Sequence, residues 1–190
     1  APRVKFEKTK SFGAEVRTYN IARDHETGER DKLTKEIAEV ENAIQASPYD
    51  DPFVIAGNGV GALEIVRDLQ SLDRRISHFF CPVSGGGLMA GQALSIHSGF
   101  PNAQIIGVEP EGADDFRQSL LANQRTRIDR PSSICDGLLS YDVGLHNWPL
   151  LQRLVKKMPY VKAVLLIDMI GDAEVFKYQT KDMDFNQKDD

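Results

Sequence analysis

Apolar positions are thinly spread over the first fifty residues and dense over the next seventy. Residues 3–12 are polar and basic and predict an exposed helix, with Gly13 as its C-terminal cap. Glu15-Val16-Arg17-Thr18-Tyr19 reads as a short strand. Residues 23–36 carry charges of both signs and read as a solvated loop entering a helix. Leu33, Ile37, Val40 and Ile44 recur at helical spacing, which predicts an amphipathic helix over 32–46. Pro and Asp make 47–52 a loop.

Beyond it lies an apolar run, 53–56, ending in Gly57-Asn58-Gly59. Ala62, Ile65, Val66 and Leu69 then predict a helix over 61–72. Residues 76–83 form an almost uninterrupted apolar strand, followed by Ser84-Gly85-Gly86-Gly87 and a small-residue helix from Leu88 to Leu94. Residues 103–108 read as another strand and 113–122 as another helix. Strands apolar on both faces, alternating with helices, predict an α/β fold: an open parallel sheet covered by helices. Nine of the fifteen glycines fall between 57 and 107, after strand ends, where open α/β sheets bind ligands. Further on, 131–149 reads as loop, 148–157 as helix, 161–167 as strand and 177–190 as a frayed polar tail. There is no internal repeat.

Composition narrows the function classes. With 23 Lys+Arg against 28 Asp+Glu the net charge is −5, which argues against nucleic acid, because phosphate backbones are held by clustered cations. No apolar run approaches the ~20 residues of a membrane span. Cys81 and Cys135 make neither a disulfide framework nor a zinc knuckle, so a reducing cytoplasmic compartment is expected. The chain opens Ala1-Pro2 without an initiator Met, as a partial or processed product would.

The sharpest chemistry lies in Pro82-Val83-Ser84-Gly85-Gly86-Gly87-Leu88, between a strand and a helix. Three bare backbones let N–H groups converge on an anion, and the helix adds its positive end. The loop lacks the Lys-Ser/Thr of a P-loop and the G-x-G-x-x-G spacing, which disfavours nucleotides. The structural alternative is a tight turn with close packing.

The same segment, with Ile106-Gly107-Val108-Glu109-Pro110, resembles the fold-type-II pyridoxal-phosphate enzymes, whose fold is like that of the tryptophan synthase β subunit. Within them it is most similar to the serine/threonine dehydratases and serine racemases. Gly13-Ala14-Glu15-Val16, Tyr49-Asp50-Asp51-Pro52, Ile55-Ala56-Gly57-Asn58-Gly59, Ile134-Cys135-Asp136-Gly137 and Gly144-Leu145-His146-Asn147-Trp148-Pro149 come in the family's order, from residue 1 to about 157.

The resemblance implies that Ser84, Gly85, Gly86, Gly87 and Leu88 hold the phosphate of pyridoxal 5′-phosphate and that Gly137 lies against its ring. It also implies a divalent-cation site from Glu109, the Ala113 carbonyl and Asp115, a hard-oxygen set suited to Mg²⁺ or Ca²⁺; the alternative is an ordinary acidic helix start. Residues 1–55 would belong to the family's small domain, 56–157 to its large domain, and 158–190 to a divergent tail, so the fold is incomplete. No lysine stands in the family's cofactor-lysine context, so no catalytic residue is assigned. The expected whole is a homo-oligomeric ammonia-lyase acting on L-threonine or L-serine, with this chain alone inactive. A binding or regulatory protein that lost catalysis, or a serine racemase, are the alternatives.

Overall fold

The computed structural model describes residues 3–157 and 160–161. Helix α1 (Arg3–Ser11) buries none of its residues, and Gly13 closes it at φ 83° with its N–H on the Lys10 carbonyl. The strand expected at 15–19 does not form: 14–20 pairs with no strand among the described residues. Helices α2 (Ile21–Thr27) and α3 (Glu29–Val40) replace the solvated loop. Gly28, at φ 61°, separates them, and the Asp24 carboxylate accepts the Arg30 N–H at 2.8 Å to start α3. That helix is shorter than the apolar period implies. Asn42 turns left-handed (φ 49°) and Ala43 N–H bonds back to the Ala38 carbonyl, a Schellman-like stop. Ile44 is therefore thrown off the stripe and is 96% exposed.

The core begins with α4 (Pro52–Ser71), which starts well ahead of the helix expected from residue 61. Asp51 caps it, accepting from Phe53 and Val54 N–H at 2.8 and 3.0 Å, with Pro52 in the first turn. These start signals outweigh three interior glycines, each costing about 1 kcal/mol against alanine. One of the three has a visible use. A Cβ on Gly59 would meet the Gly91 carbonyl oxygen at 2.9 Å, and the Ser95 hydroxyl donates to the Gly59 carbonyl at 2.8 Å. Glycines thus let α4 cross α5 (Gly87–Gly99) at backbone distance. Because α4 begins at Pro52, the boundary expected at 55/56 falls inside one helix.

Strand β1 (His78–Pro82) runs parallel to β2 (Gln104–Pro110), His78 opposite Gln104 and Pro82 opposite Val108, with α5 as the crossover. On the other side, β2 pairs in parallel with β3 (Val155–Lys157) and β4 (Tyr160–Val161). The expected helix over 148–157 is α7 (Asn147–Leu154), broken where Val155 turns extended to pair with Ile105. The rest of the expected 161–167 strand, and the 177–190 tail, lie outside the described residues. Met89, Ala90, Ala93 and Ile96 of α5 are fully buried against Ile55, Ala62 and Val66 of α4 and Ile105 of β2. Phe116, on α6 (Asp115–Ala122), meets Trp148 edge-on at 6.0 Å.

Cys81 and Cys135 are buried free thiols; burial alone pushes Cys81 up to about 12, so it acts as a small hydrophobe. His78 and His97 are on the surface. Among the described residues no helix is long and apolar enough to cross a membrane.

Candidate functional site

β1 and β2 end side by side, so the turn after Pro82 and the last residues of β2 meet at the carboxyl edge of the sheet. The chain must reverse between Pro82 and Gly87. It does so with Ser84 at φ 50° and Gly86 at φ 91°, and the Gly86 N–H closes the turn on the Val83 carbonyl at 2.9 Å. Neighbouring protein leaves no room for side chains here. A Cβ on Gly85 would lie 2.5 Å from the Tyr49 ring, one on Gly86 2.9 Å from both Leu151 and Val143, and one on Gly87 would strike the Tyr49 backbone. The three glycines are thus required by close packing, as the structural alternative for this loop has it. The packing does not use up the amides. Among the described residues those of Gly85, Gly87 and Leu88 have no protein acceptor, and they stand at the start of α5, where the helix dipole favours an anion.

A cavity of about 230 Å³ opens beside the loop, below the roughly 300 Å³ at which drug-sized sites begin. That suits one ring with a phosphate and not a dinucleotide. Two sequence-predicted residues, Ser84 and Gly137, line it together. Gly85, Gly86, Gly87 and Leu88 come after Ser84 in the chain and do not line it. Gly137, on the short 3₁₀ turn Asp136–Leu138, differs from the loop glycines: a Cβ there meets nothing within 4 Å. The free amides, the Ser84 hydroxyl and this open wall fit a phosphorylated ring compound.

The other lining residues, Arg30 and Tyr49 among them, carry no site role in the sequence analysis. Burial opposes the Arg30 charge, but the Asp31 carboxylate, 2.9 Å from its Nε, holds the guanidinium firmly protonated. Burial pushes the Tyr49 phenol up, and Arg30 offsets part of that rise. Nothing in the local pattern of α3 marks Arg30; its place on the cavity wall is set by tertiary packing. The lysines of α1 are not on this wall. Lys5 pairs with Asp136 at 2.7 Å with both side chains half exposed, and Lys10 lies over the Phe6 ring.

Behind the cavity wall lies the expected cation set. Glu109, next to last in β2, is 4% exposed and Asp115, the first residue of α6, is fully buried. Glu109 accepts the Phe116 and Arg117 N–H groups at 3.3 and 3.0 Å, capping α6 from outside its sequence. Burial, and then the Asp115 charge, push Glu109 up to about 8. Burial pushes Asp115 up to about 7, partly offset by a 3.3 Å hydrogen bond from the Ser140 hydroxyl. Asp115 Oδ2 is buried without a partner. Ala113 is buried in the 3₁₀ turn Glu111–Ala113 between the two acids. Among the described residues no three His, Cys, Asp or Glu side chains form a metal cluster. Two acids, a carbonyl and an orphaned oxygen still match a hard cation in chemistry.

Comparison with known proteins resolves the family. The profile described as pyridoxal-phosphate dependent enzyme matches residues 1–172, past Lys157, where the sequence reading placed the departure. The chain is 35% identical over 170 residues to serine racemase of Schizosaccharomyces pombe, covering 90% of this chain and 50% of that protein. It is 33% identical over 155 residues to L-threo-3-hydroxyaspartate ammonia-lyase of Saccharomyces cerevisiae, covering 82% and 45%. Among solved structures, the processed form of threonine deaminase isoform 2 from Solanum lycopersicum superposes with a TM-score of 0.74 at 33% identity, covering 85% of this chain and 42% of that one. Maize serine racemase superposes with 0.75 at 29%, covering 85% and 46%. The chain spans about half the length of the curated relatives it matches. With its profile matched over most of its length and its parallel sheet shared with those structures, the chain belongs to the pyridoxal-phosphate-dependent enzyme family.

Proposed function

We propose that the protein contributes the phosphate-holding part of a pyridoxal-phosphate-dependent ammonia-lyase acting on L-threonine or L-serine. The observation that carries this is the shared cavity of Ser84 and Gly137 beside the unpaired amides at the start of α5. In this reading the Gly85, Gly87 and Leu88 amides and the Ser84 hydroxyl bind the phosphate, and Gly137 leaves room for the ring. Arg30 takes a carboxylate of the amino-acid substrate, and Tyr49 closes the apolar side against water. When bound, the cofactor supplies an electron sink for the substrate's α-carbon. None of the chain's lysines is assigned as the cofactor-bearing amine, and the chain alone is inactive. Serine racemisation is the second reading, favoured by the serine racemases among the relatives.

Glu109, the Ala113 carbonyl and Asp115 hold Mg²⁺ or Ca²⁺ in a structural role. The protein acts in a reducing cytoplasm and belongs to a homo-oligomer.

The test is a titration with pyridoxal phosphate and with pyridoxal, which lacks the phosphate. The phosphorylated ligand is expected to bind at least about tenfold tighter, the worth of roughly one charge-assisted hydrogen bond. Gly137→Leu, whose Cβ would meet no protein atom within 4 Å and whose longer side chain takes up cavity space, is expected to abolish that binding at an unchanged melting temperature. Equal affinities in the unaltered chain, or full binding by the variant, would refute the assignment.

A further inference from the structure

We propose that Asn147 is a positioning residue that holds the glycine loop in its anion-binding shape; the inference rests on the reading of that loop as a phosphate site. Asn147 opens α7 and is fully buried. Its Nδ2 donates both hydrogens, one to the Tyr49 carbonyl at 2.9 Å and one to the Gly85 carbonyl at 2.8 Å. Two carbonyl oxygens can be met only by an NH₂ group, so the orientation of the amide is fixed by its neighbours. The Gly85 oxygen also accepts the Gly144 N–H at 2.9 Å.

A carbonyl held by two donors cannot rotate, and the peptide unit is planar. Pinning Gly85 O therefore fixes the Gly86 N–H on the other side of the same plane, which is the group that closes the turn on Val83. The turn so closed carries left-handed backbone at Ser84 and Gly86, and the unpaired amides of Gly85, Gly87 and Leu88 are left in one arrangement. The second hydrogen ties in the 47–51 segment, whose Tyr49 backbone lies against Gly87 and whose ring lies against Gly85.

Asn147 Oδ1 is buried with no partner. An apolar residue would fill the same space without burying an unpaired acceptor. The two donors are therefore what the position uses, and both act on the cavity's walls.

The experiment titrates the full chain and two variants, Asn147→Leu and Asn147→Ser, with pyridoxal phosphate and with pyridoxal, following melting by circular dichroism. A merely structural role weakens both ligands alike. A positioning role lowers the ratio of the two affinities, by about tenfold in Asn147→Leu and by less in Asn147→Ser, whose hydroxyl retains one donor. An unchanged ratio in a folded variant overturns the inference, and so does loss of folding in both variants, which would make Asn147 a fold determinant only. Equal affinity of the unaltered chain for both ligands is a different failure, that of the phosphate reading itself.

Discussion

Raising the pH from 5.5 to 8.5 without divalent cations should destabilise this protein, and Mg²⁺ or Ca²⁺ should remove most of the loss. Glu109 is held at about 8 against an ordinary 4.5, and Asp115 at about 7 against 3.8. Both folded-state values are raised, so between the unfolded and folded values the native state binds more protons than the unfolded chain. Stability is then full below about pH 4 and falls as pH rises through 7 and 8. At about 1.4 kcal/mol per pH unit the Glu109 displacement alone sets a ceiling of roughly 5 kcal/mol. The two acids are neighbours, so their contributions do not add. Even half the ceiling is a large share of the roughly 5–15 kcal/mol that stabilises a domain. A cation takes the place of the protons, and its binding should strengthen as pH rises. It adds roughly 2.7 kcal/mol at a hundredfold excess over its dissociation constant.

The assay is a melting series in EDTA and in millimolar Mg²⁺ or Ca²⁺, repeated on Asp115→Asn. In EDTA the midpoint should fall by several degrees between pH 6 and 8.5. In cation the fall should shrink, and in the variant both the slope and the cation effect should weaken. A midpoint independent of pH in EDTA would mean that water reaches both carboxylates and the burial argument is wrong. A pH slope that cation leaves untouched would make Glu109 a helix cap and nothing more.

Gly86→Ala should cost about 2–4 kcal/mol, because it adds a left-handed penalty to a collision with Leu151 and Val143; a denaturant midpoint equal to the unaltered chain would refute the packing account. Cys81 and Cys135 should react with a thiol reagent only after denaturation, since both are buried and Cys81 sits at about 12; fast native labelling of Cys81 would contradict this. Lys5→Ala removes an ion pair whose side chains are each 49% exposed and should change stability by less than about 1 kcal/mol, with no effect on pyridoxal phosphate binding by titration.

The sheet was legible because its strands carry the signal of a doubly buried surface. Residues 76–83 and 103–108 have almost no polar interruption, and β1 and β2 lie inside or across those limits. The errors have the same kind of cause. Glu15 to Tyr19 alternates like a strand, but a strand exists only where a neighbour accepts its backbone bonds, and sequence cannot supply that neighbour. Val155 and its two lysines are too short a segment to announce β3, which exists because Ile105 is there to pair with it. The glycines at 57, 59 and 61 read as breakers, and the Asp51-Pro52 start together with the contact to Gly91 overrode them.

The site divides in the same way. Ser84 and Gly137 are 53 positions apart, and only the resemblance placed them together before the fold did. Arg30 was invisible because a cation on an amphipathic helix has the same local pattern whether it faces solvent or a cavity. The three loop glycines teach the sharper distinction. Their lack of side chains had suggested a backbone bared for a ligand, yet the space a Cβ would need at Gly85, Gly86 and Gly87 belongs to Tyr49, Leu151 and Val143. A ligand does not require all three absences; the protein does. The case for a bound anion rests instead on the amides that packing leaves without acceptors, beside a wall that Gly137 keeps open. Substitution at 85–87 therefore tests folding, whereas substitution at Gly137 tests binding, and the two must not be exchanged when the cofactor assignment is challenged.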